Sequence, residues 1–397
     1  MRVLVVGSGG REHALAWKIA QSPTLEELHA APGNPGIAEL GSCHPVRAED
    51  GDGVLALARA LRVDLVVVGP EAPLVAGLAD RLRRGGVPVF GPSAAGARIE
   101  GSKAFAKDVL ERAGVPTARA LPVARPPCVV KADGLATGKG VFVCFDDDEL
   151  QAALAEVRAL GTRFHIEELL EGEELSVFAI CDGRRAVPLA AARDFKRAND
   201  GDAGPNTGGM GAFSPVAGSP LLDRLVAEIH RPVLAELAAR DASFSGLLYA
   251  GLMLTADGPR VLEFNCRFGD PEAQAVLPLI SSDLLPVLAE AAAGDLGPSL
   301  IELSRDTSVT VVVAAKDYPA SGDTGSPITG IEEATRLGAL VFHAGTAARN
   351  NTLVTSGGRI LGITGLGPDL AAARELAYAA VEQISFPGAR YRRDIGG

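Results

Sequence analysis

Apolar positions in the first hundred residues come as short runs separated by turn residues and by segments of helical periodicity. Met1–Val6 is an apolar run with β-branched residues, and Gly7, Gly9 and Gly10 follow it. Arg11–Ala20 then sets Ala14, Leu15, Trp17 and Ile19 along an apolar helix face. Further runs at Leu28–Ala30, Asp64–Val68 and Val87–Phe90, with a helical stretch over Leu74–Arg84, continue the alternation. Strand, glycine turn and helix in this order predict an N-terminal doubly wound α/β domain over residues 1–101.

The pattern changes after that. Ser102 is placed to cap a helix over Lys103–Arg112, which Gly114 and Pro116 close. Cys128–Ala132 and Val141–Phe145 read as strands flanking a glycine-rich loop, Asp133–Gly140, and a helix is expected near Asp148–Leu160. Leu175–Ile180 and Ala186–Ala192 read as a hairpin about the Asp182-Gly183 turn. Arg193–Pro215 is a long, polar, glycine-rich loop, and a loop of that length inside a compact domain is either functional or disordered. A helix over Ser219–Asp241, a strand over Gly246–Thr255 and a helix over Asp283–Ala293 complete a second unit, 102–300, with a lid at about 119–192. From Ile301 the chain restarts with strands at Ser308–Ala315, Leu340–Gly345, Thr352–Thr355 and Arg359–Thr364 and a helix over Asp369–Gln383. Residues 301–397 read as a small C-terminal α+β domain with little chemistry of its own.

Chemistry concentrates in the strand Val261–Arg267. Strict alternation sends Leu262, Phe264 and Cys266 to a core face and Glu263, Asn265 and Arg267 to the other. A carboxylate beside a side-chain amide oxygen suits a hard divalent cation, and an adjacent arginine suits phosphoryl charge. A solvated face with a chance Glu–Arg pair is the other reading of these residues alone. Lys131 precedes the loop Asp133–Gly140 and Lys139 lies in it, as in a lid that neutralises phosphates; G-x-x-x-x-G-K-[ST] is absent, so it is not a P-loop. Lys103 in the first turn of its helix can reach an interdomain cleft, and Lys107 follows one turn on. The Gly7–Gly10 turn is either an anion cradle assisted by Arg11 or a turn built for close packing. It is not a dinucleotide fingerprint, because position 12 holds Glu12. The acidic stretch His165–Glu174 can meet a purine edge and ribose, and the mix of Asp194, Lys196, Asn206, Thr207 and glycines can ring a small zwitterion.

Composition narrows the class. The 397 residues carry a net charge of −11, with 47% hydrophobic and 22% charged residues. Such a chain folds into two or three domains, and its acidity argues against a nucleic-acid partner. No apolar run is long enough to span a bilayer, and the N-terminus is no signal peptide. The five cysteines include no C-x-x-C pair and read as small buried residues of a reducing cytoplasm.

The stretches GSGGREHALAW, GPEAPL, FGPS, EGSKAF, KADGLATGKGV, IEELLEGEE, GPNTGGMGAFSP, YAGLM, EFNCRFGDPE, VFHAGT, TSGGR and YRRDIG run through the whole chain in order. Together they resemble the glycinamide ribonucleotide synthetase (phosphoribosylamine–glycine ligase) family of ATP-grasp enzymes. GPNTGGMG with EFNCRFGDPE is the specific part. The resemblance implies an ATP-dependent ligation of glycine to 5-phosphoribosylamine through glycyl phosphate, in a cytoplasmic and monomeric enzyme. It implies Mg²⁺ or Mn²⁺ on Glu263 and Asn265. Lys103, Lys131 and Lys139, with Gly138 and Gly140, would hold the ATP phosphates. Glu167, Glu168 and Leu170 would meet adenine, and Glu174 the ribose. Arg267 would stabilise the acyl-phosphate oxygens. Asp194 and the loop Asn206, Thr207, Gly208, Gly209, Met210, Gly211, with Asp270, would hold the glycine end. Gly9, Gly10, Arg11 and Glu12 would take the ribose phosphate. Leu121–Pro127 and Arg158–Phe164 are shorter than this family leads one to expect, and Lys316–Pro319 replaces a more glycine-rich turn; none of the three is expected to touch a ligand. Another ATP-grasp ligase or transformylase of the same pathway would keep the lysines and the Glu–Asn pair but lack the GPNTGGMG loop. A nucleotide sensor would need neither that loop nor Arg267.

Overall fold

The computed structural model describes residues 1–135, 140–297 and 301–397. Five strands open the chain: β1 (Arg2–Gly7), β2 (Glu27–Pro32), β3 (Ser42–Cys43), β4 (Leu65–Val68) and β5 (Val89–Phe90). They form one parallel sheet in the order β3-β2-β1-β4-β5. β1 and β4 are buried along almost their whole length, which is why they read as unbroken Val/Leu runs. Strand order reverses at β1, so a crevice opens beyond the carboxyl ends of β1 and β4, where Gly9–Glu12 and Glu71 lie. The helix expected over Leu74–Arg84 is two, Glu71–Val75 and Leu78–Arg84, because Gly77 takes a φ of 89° between them. Ser102 caps Lys103–Arg112, its hydroxyl accepting the Phe105 amide at 3.2 Å.

β6 (Cys128–Ala132), β7 (Val141–Cys144) and β8 (Phe164–Glu168) make a separate antiparallel sheet in the order β7-β6-β8. The helix Asp147–Ala159 closes it over a small core of Cys128, Val130, Cys144, Leu150, Ala153 and Val157. Gly138 and Lys139 lie outside the described residues. Gly140 returns the chain to this sheet, its carbonyl accepting the Ala132 amide at 2.8 Å.

The remaining strands are β9 (Glu173–Asp182), β10 (Ala186–Asp194), β11 (Arg197–Asn199), β12 (Ala203–Asn206), β13 (Gly211–Ser214), β14 (Ser245–Thr255), β15 (Gly258–Asn265), β16 (Thr307–Ala314), β17 (Asp323–Pro327), β18 (Leu340–His343), β19 (Thr346–Arg349), β20 (Thr352–Gly357) and β21 (Arg359–Gly367). Eight of them form one sheet, β15-β14-β9-β10-β13-β16-β21-β18. Three expectations change here. β9 and β10 pair with β14 and β13, so the lid sheet ends at Glu168 and not near 192. The long loop Arg193–Pro215 is folded, with β11 and β12 as a hairpin and β13 as a strand of the large sheet. The C-terminal strands β16, β21 and β18 continue the same sheet through the β13–β16 pairing, so the C-terminal part is attached along a hydrogen-bonded edge. The Ser356–Gly358 turn passes the chain between sheets, since β20 pairs with β17 and β19.

β15 carries a bulge. Gly251 and Leu252 of β14 face Glu263 and Val261, leaving Leu262 as the extra residue. Val261, Phe264 and Cys266 therefore enter the core, and Leu262, expected there, lines the cavity described next.

Candidate active site

A cavity of about 770 Å³ lies between the N-terminal sheet, the lid sheet, the large sheet and the C-terminal part. One end is made by the lid. Lys131, at a buried position of β6, contacts Glu167 of β8 at 2.7 Å and donates to the Leu262 carbonyl at 3.0 Å. Lys107 meets the other Glu167 oxygen at 2.7 Å, and the His165 ring lies 3.0 Å from it. Burial alone would raise the Glu167 pKa, but the hydrogen bond to His165 and the two lysine charges hold it far below the ordinary carboxylate range. Glu167 is thus the anchor of two lysines, which its expected role at adenine did not include. Lys107, read as one turn along from Lys103, is part of the site through this contact. Lys103 donates to the Gly134 carbonyl at 3.2 Å, and burial lowers its pKa against the pull of Glu263. Glu168 turns to the rim and pairs with Arg119 at 2.7 Å, while Leu170 lines the cavity.

The floor is β15 with β10. Glu263 and Asn265 both face the cavity. Glu263 and Glu272 both line the cavity and, among the described residues, neither makes a close ion pair; Lys103 and Lys196 feel the Glu263 charge only at longer range. A divalent cation with hard oxygen ligands fits the Glu263 carboxylate and the Asn265 amide oxygen, which would hold it. Asp194 is buried, which pushes its pKa up to about 7; Lys196 opposes the rise, and Glu272, Glu174 and Glu263 add to it. Lys196 contacts Glu174 at 2.8 Å and Asp194 at 3.8 Å, and its charge is the main reason Glu174 stays ionised.

Arg267 joins this floor to the N-terminal sheet. Its Nε pairs with Glu71 at 3.0 Å and its Nη2 with Glu100 at 2.9 Å; Nη1 donates to the Phe268 carbonyl, and Nη2 also reaches Asn265 Oδ1 at 3.4 Å. The two glutamates answer differently. Glu71 sits between two arginines, and although burial raises its pKa, Arg267 and Arg11 bring it down to about 2. Glu100 is deeper, and burial outweighs the single arginine, so its pKa is raised. Neither Glu71 in GPEAP nor Glu100 in EGSKAF was assigned from the sequence; Glu71 follows the carboxyl end of β4, which was an available signal, whereas Glu100 lies within the helix Ala94–Gly101 and carried none.

The glycine turn is filled by its own chain. Gly9 donates its amide to Glu12 Oε2 at 2.6 Å, and Arg11 pairs with Glu12 at 2.6 Å. A Cβ at Gly7 would sit 2.5 Å from Glu12, and one at Gly10 2.5 Å from Gln274. These glycines make room for Glu12 and Gln274, which matches the close-packing reading. Of Gly9, Gly10, Arg11 and Glu12, only Arg11 lines the cavity.

The far end is shared by the Asn206–Gly211 loop, Asp270 and the C-terminal part. Asn206, Thr207 and Gly208 line the cavity, and Asn206 donates to the Val141 carbonyl of the lid at 3.3 Å. Met210 is fully buried against Val312 and Ala314, and Gly211 is a β13 residue packed on Thr310 and Ile395. Neither they nor Gly209, which packs on Pro271, face the cavity. Thr207 Oγ1 instead folds the loop, donating to the Lys196 carbonyl and accepting the Gly209 amide. Arg359 pairs with Asp270 at 2.9 Å and donates to the carbonyls of Asp270 at 2.7 Å and Gly208 at 2.6 Å. The Gly208 amide donates to the Tyr318 hydroxyl at 2.9 Å. Lys316–Pro319 therefore does touch the site, and the C-terminal part supplies two of its walls. Both residues were missed because nothing local marks them; β21 and the β16 end bring them here through the sheet.

A lysine-bearing lid sheet over a strand that carries Glu-x-Asn defines an ATP-grasp ligase. The overall fold agrees: the biotin carboxylase domain of the Hydrogenobacter thermophilus 2-oxoglutarate carboxylase matches with a TM-score of 0.70 at 17% identity, covering 98% of this chain and 91% of that one. Residues 1–100, 101–273 and 308–397 match the N domain, the ATP-grasp (A) domain and the C domain of phosphoribosylglycinamide synthetase. The chain belongs to that family. The phosphoribosylamine–glycine ligase of Streptomyces coelicolor is 50% identical over all of this chain and 98% of its own length. The crystal structure of the Thermotoga maritima phosphoribosylamine–glycine ligase has a TM-score of 0.86 at 35% identity, covering 99% of this chain and 100% of that one.

Proposed function

We infer that this cavity joins glycine to 5-phosphoribosylamine at the expense of ATP, giving glycinamide ribonucleotide, ADP and phosphate. The observation that carries the reading is the meeting, in one cavity, of the Lys103/Lys131 end with the Asn206–Gly208 and Asp270 end. Lys131 and Lys103, with Lys139, take the β and γ phosphates of ATP. Lys131 is aimed by Glu167 and by the Leu262 carbonyl, so its charge is fixed before nucleotide arrives. Mg²⁺ or Mn²⁺ on Glu263 and Asn265 would supply charge neutralisation at the phosphates. Leu170 and the backbone around Glu168 lie at the adenine, and Glu174 at the ribose.

Glycine is held between Asp194 and the Asn206–Gly208 segment. Its carboxylate oxygen bonds to the γ-phosphorus as the bond to the ADP oxygen breaks, giving glycyl phosphate. The amine of phosphoribosylamine then bonds to the acyl carbon, phosphate leaves with that oxygen, and the amine loses a proton. Asp194, its pKa raised to about 7 by burial, is suited to accept a proton near neutrality. Arg267 lies where charge builds on the acyl phosphate, and its two glutamates keep the guanidinium in place. Arg11 faces the acceptor end and is the member of the Gly9–Glu12 turn that meets the ribose phosphate in this reading. No helix among the described residues is long and apolar enough to cross a membrane. A monomer in a reducing cytoplasm completes the reading, and 1–101, 102–300 and 301–397 remain its working domains.

Glycine labelled with ¹⁸O in its carboxylate tests the order of bond making. The inference predicts one ¹⁸O in each released phosphate. Unlabelled phosphate would contradict the glycyl phosphate step.

A further inference from the structure

We propose that Tyr318 and Arg359 are positioning residues that set the shape of the acceptor end of the cavity, by holding the two peptide groups that flank the Gly208 α-carbon. The Gly208 amide donates to the Tyr318 hydroxyl at 2.9 Å, and its carbonyl accepts from Arg359 at 2.6 Å. The same guanidinium takes the Asp270 carbonyl at 2.7 Å and the Asp270 carboxylate at 2.9 Å. One arginine therefore fixes the Asn206–Gly208 segment relative to Asp270, across about sixty residues of chain. Space allows little else: a Cβ at Gly208 would lie 3.1 Å from the Arg359 guanidinium carbon and 3.2 Å from the Tyr318 oxygen. Tyr318 is held in turn, because its ring packs on Gly358 and its carbonyl accepts from Arg390 at 3.3 Å.

All these contacts are at the end of the cavity away from Lys103, Lys131 and Glu167. Loosening them moves the groups that meet glycine and the amine and leaves the nucleotide end in place. The proposal rests on the ligase reading above, and that reading is tested separately by the wild-type protein's need for all three substrates.

The test compares wild type with Tyr318→Phe and Arg359→Lys, measuring KM for ATP, glycine and phosphoribosylamine, kcat and thermal unfolding. Gly208 is exposed, so its freed amide turns to water and the loop loses one tether; this is expected to raise KM for glycine or for the amine about fivefold, with KM for ATP within about twofold. Tyr318→Phe keeps the ring and its packing, so it reads the hydrogen bond even where Arg359→Lys destabilises the fold. Unchanged acceptor-side KM values in Tyr318→Phe would overturn the proposal. A parallel loss for all three substrates, following a lowered unfolding temperature, would also overturn it, since that is a structural effect alone.

Discussion

Arg267 shows how a single side chain serves two ends at once. It lies on the cavity wall, and Glu71, Glu100, Asn265 and the Phe268 carbonyl take four of its five N–H donors, leaving one on Nη1 for a substrate oxygen. Its removal strands Glu100 and Glu71 in a buried place. Arg267→Ala is expected to lower stability by about 3–5 kcal/mol in urea unfolding, as for a broken buried pair. It should also reduce kcat by about 10²–10³, as for a lost oxyanion donor. A change confined to KM, in a protein of wild-type stability, would refute both roles. Glu167 makes a second residue-scale case. Its folded pKa lies below the unfolded value, so its pairing with Lys131, Lys107 and His165 stabilises the protein above about pH 4.5 and is lost as pH falls from there. Glu167→Gln should lower the unfolding temperature at pH 7 and narrow the gap to wild type below pH 4. An equal gap at both pH values would show that the charge of Glu167 is not what matters.

At the scale of elements, the β15 bulge decides which residues see the cavity. Strict alternation would put Leu262 with Phe264 and Cys266; the extra residue lets Val261 join them while Glu263, Asn265 and Arg267 keep the cavity face. Deleting Leu262 would straighten the ladder with Val261 still opposite Leu252, but would remove the backbone carbonyl that holds Lys131. Leu262→Ala changes a side chain and leaves the carbonyl that Lys131 uses. The account expects the deletion to abolish turnover and Leu262→Ala to keep most of it; comparable activity in the two would contradict the bulge's role. Local signals were enough for the helix Lys103–Arg112, read from Ser102, and for Cys128–Ala132, read from its flanks. They were also enough to single out Glu263, Asn265 and Lys131, which the fold places on the wall of one cavity. They failed where neighbours come from afar. Met210 looks like a loop residue until β13 carries it into the large sheet, and Glu12 looks like a failed glycine until Gly7 and Gly9 close round it. The bulge is invisible because only pairing with β14 reveals it.

For the whole molecule, the continuous eight-stranded sheet matters more than a division into parts. β13 pairs with β10 on one side and β16 on the other, so residues after 301 complete an edge that the preceding strands leave open. The C-terminal part is then expected to unfold with β9 and β10 and not as an independent unit. Hydrogen exchange resolved by peptide should show β16 amides protected to a degree similar to those of β10. Full exchange of β16 while β10 stays protected would show the C-terminal part opening alone. The same continuity explains why Tyr318 and Arg359 reach the site although the sequence of residues 301–397 advertises no chemistry.

The measurement that bears most directly on the account is ADP release by the purified protein with Mg-ATP, glycine and freshly generated phosphoribosylamine, each omitted in turn. The account predicts turnover only when all three are present, with neither formate nor bicarbonate replacing glycine. ADP release that persists without glycine or without the amine, or that accepts bicarbonate in place of glycine, would contradict it.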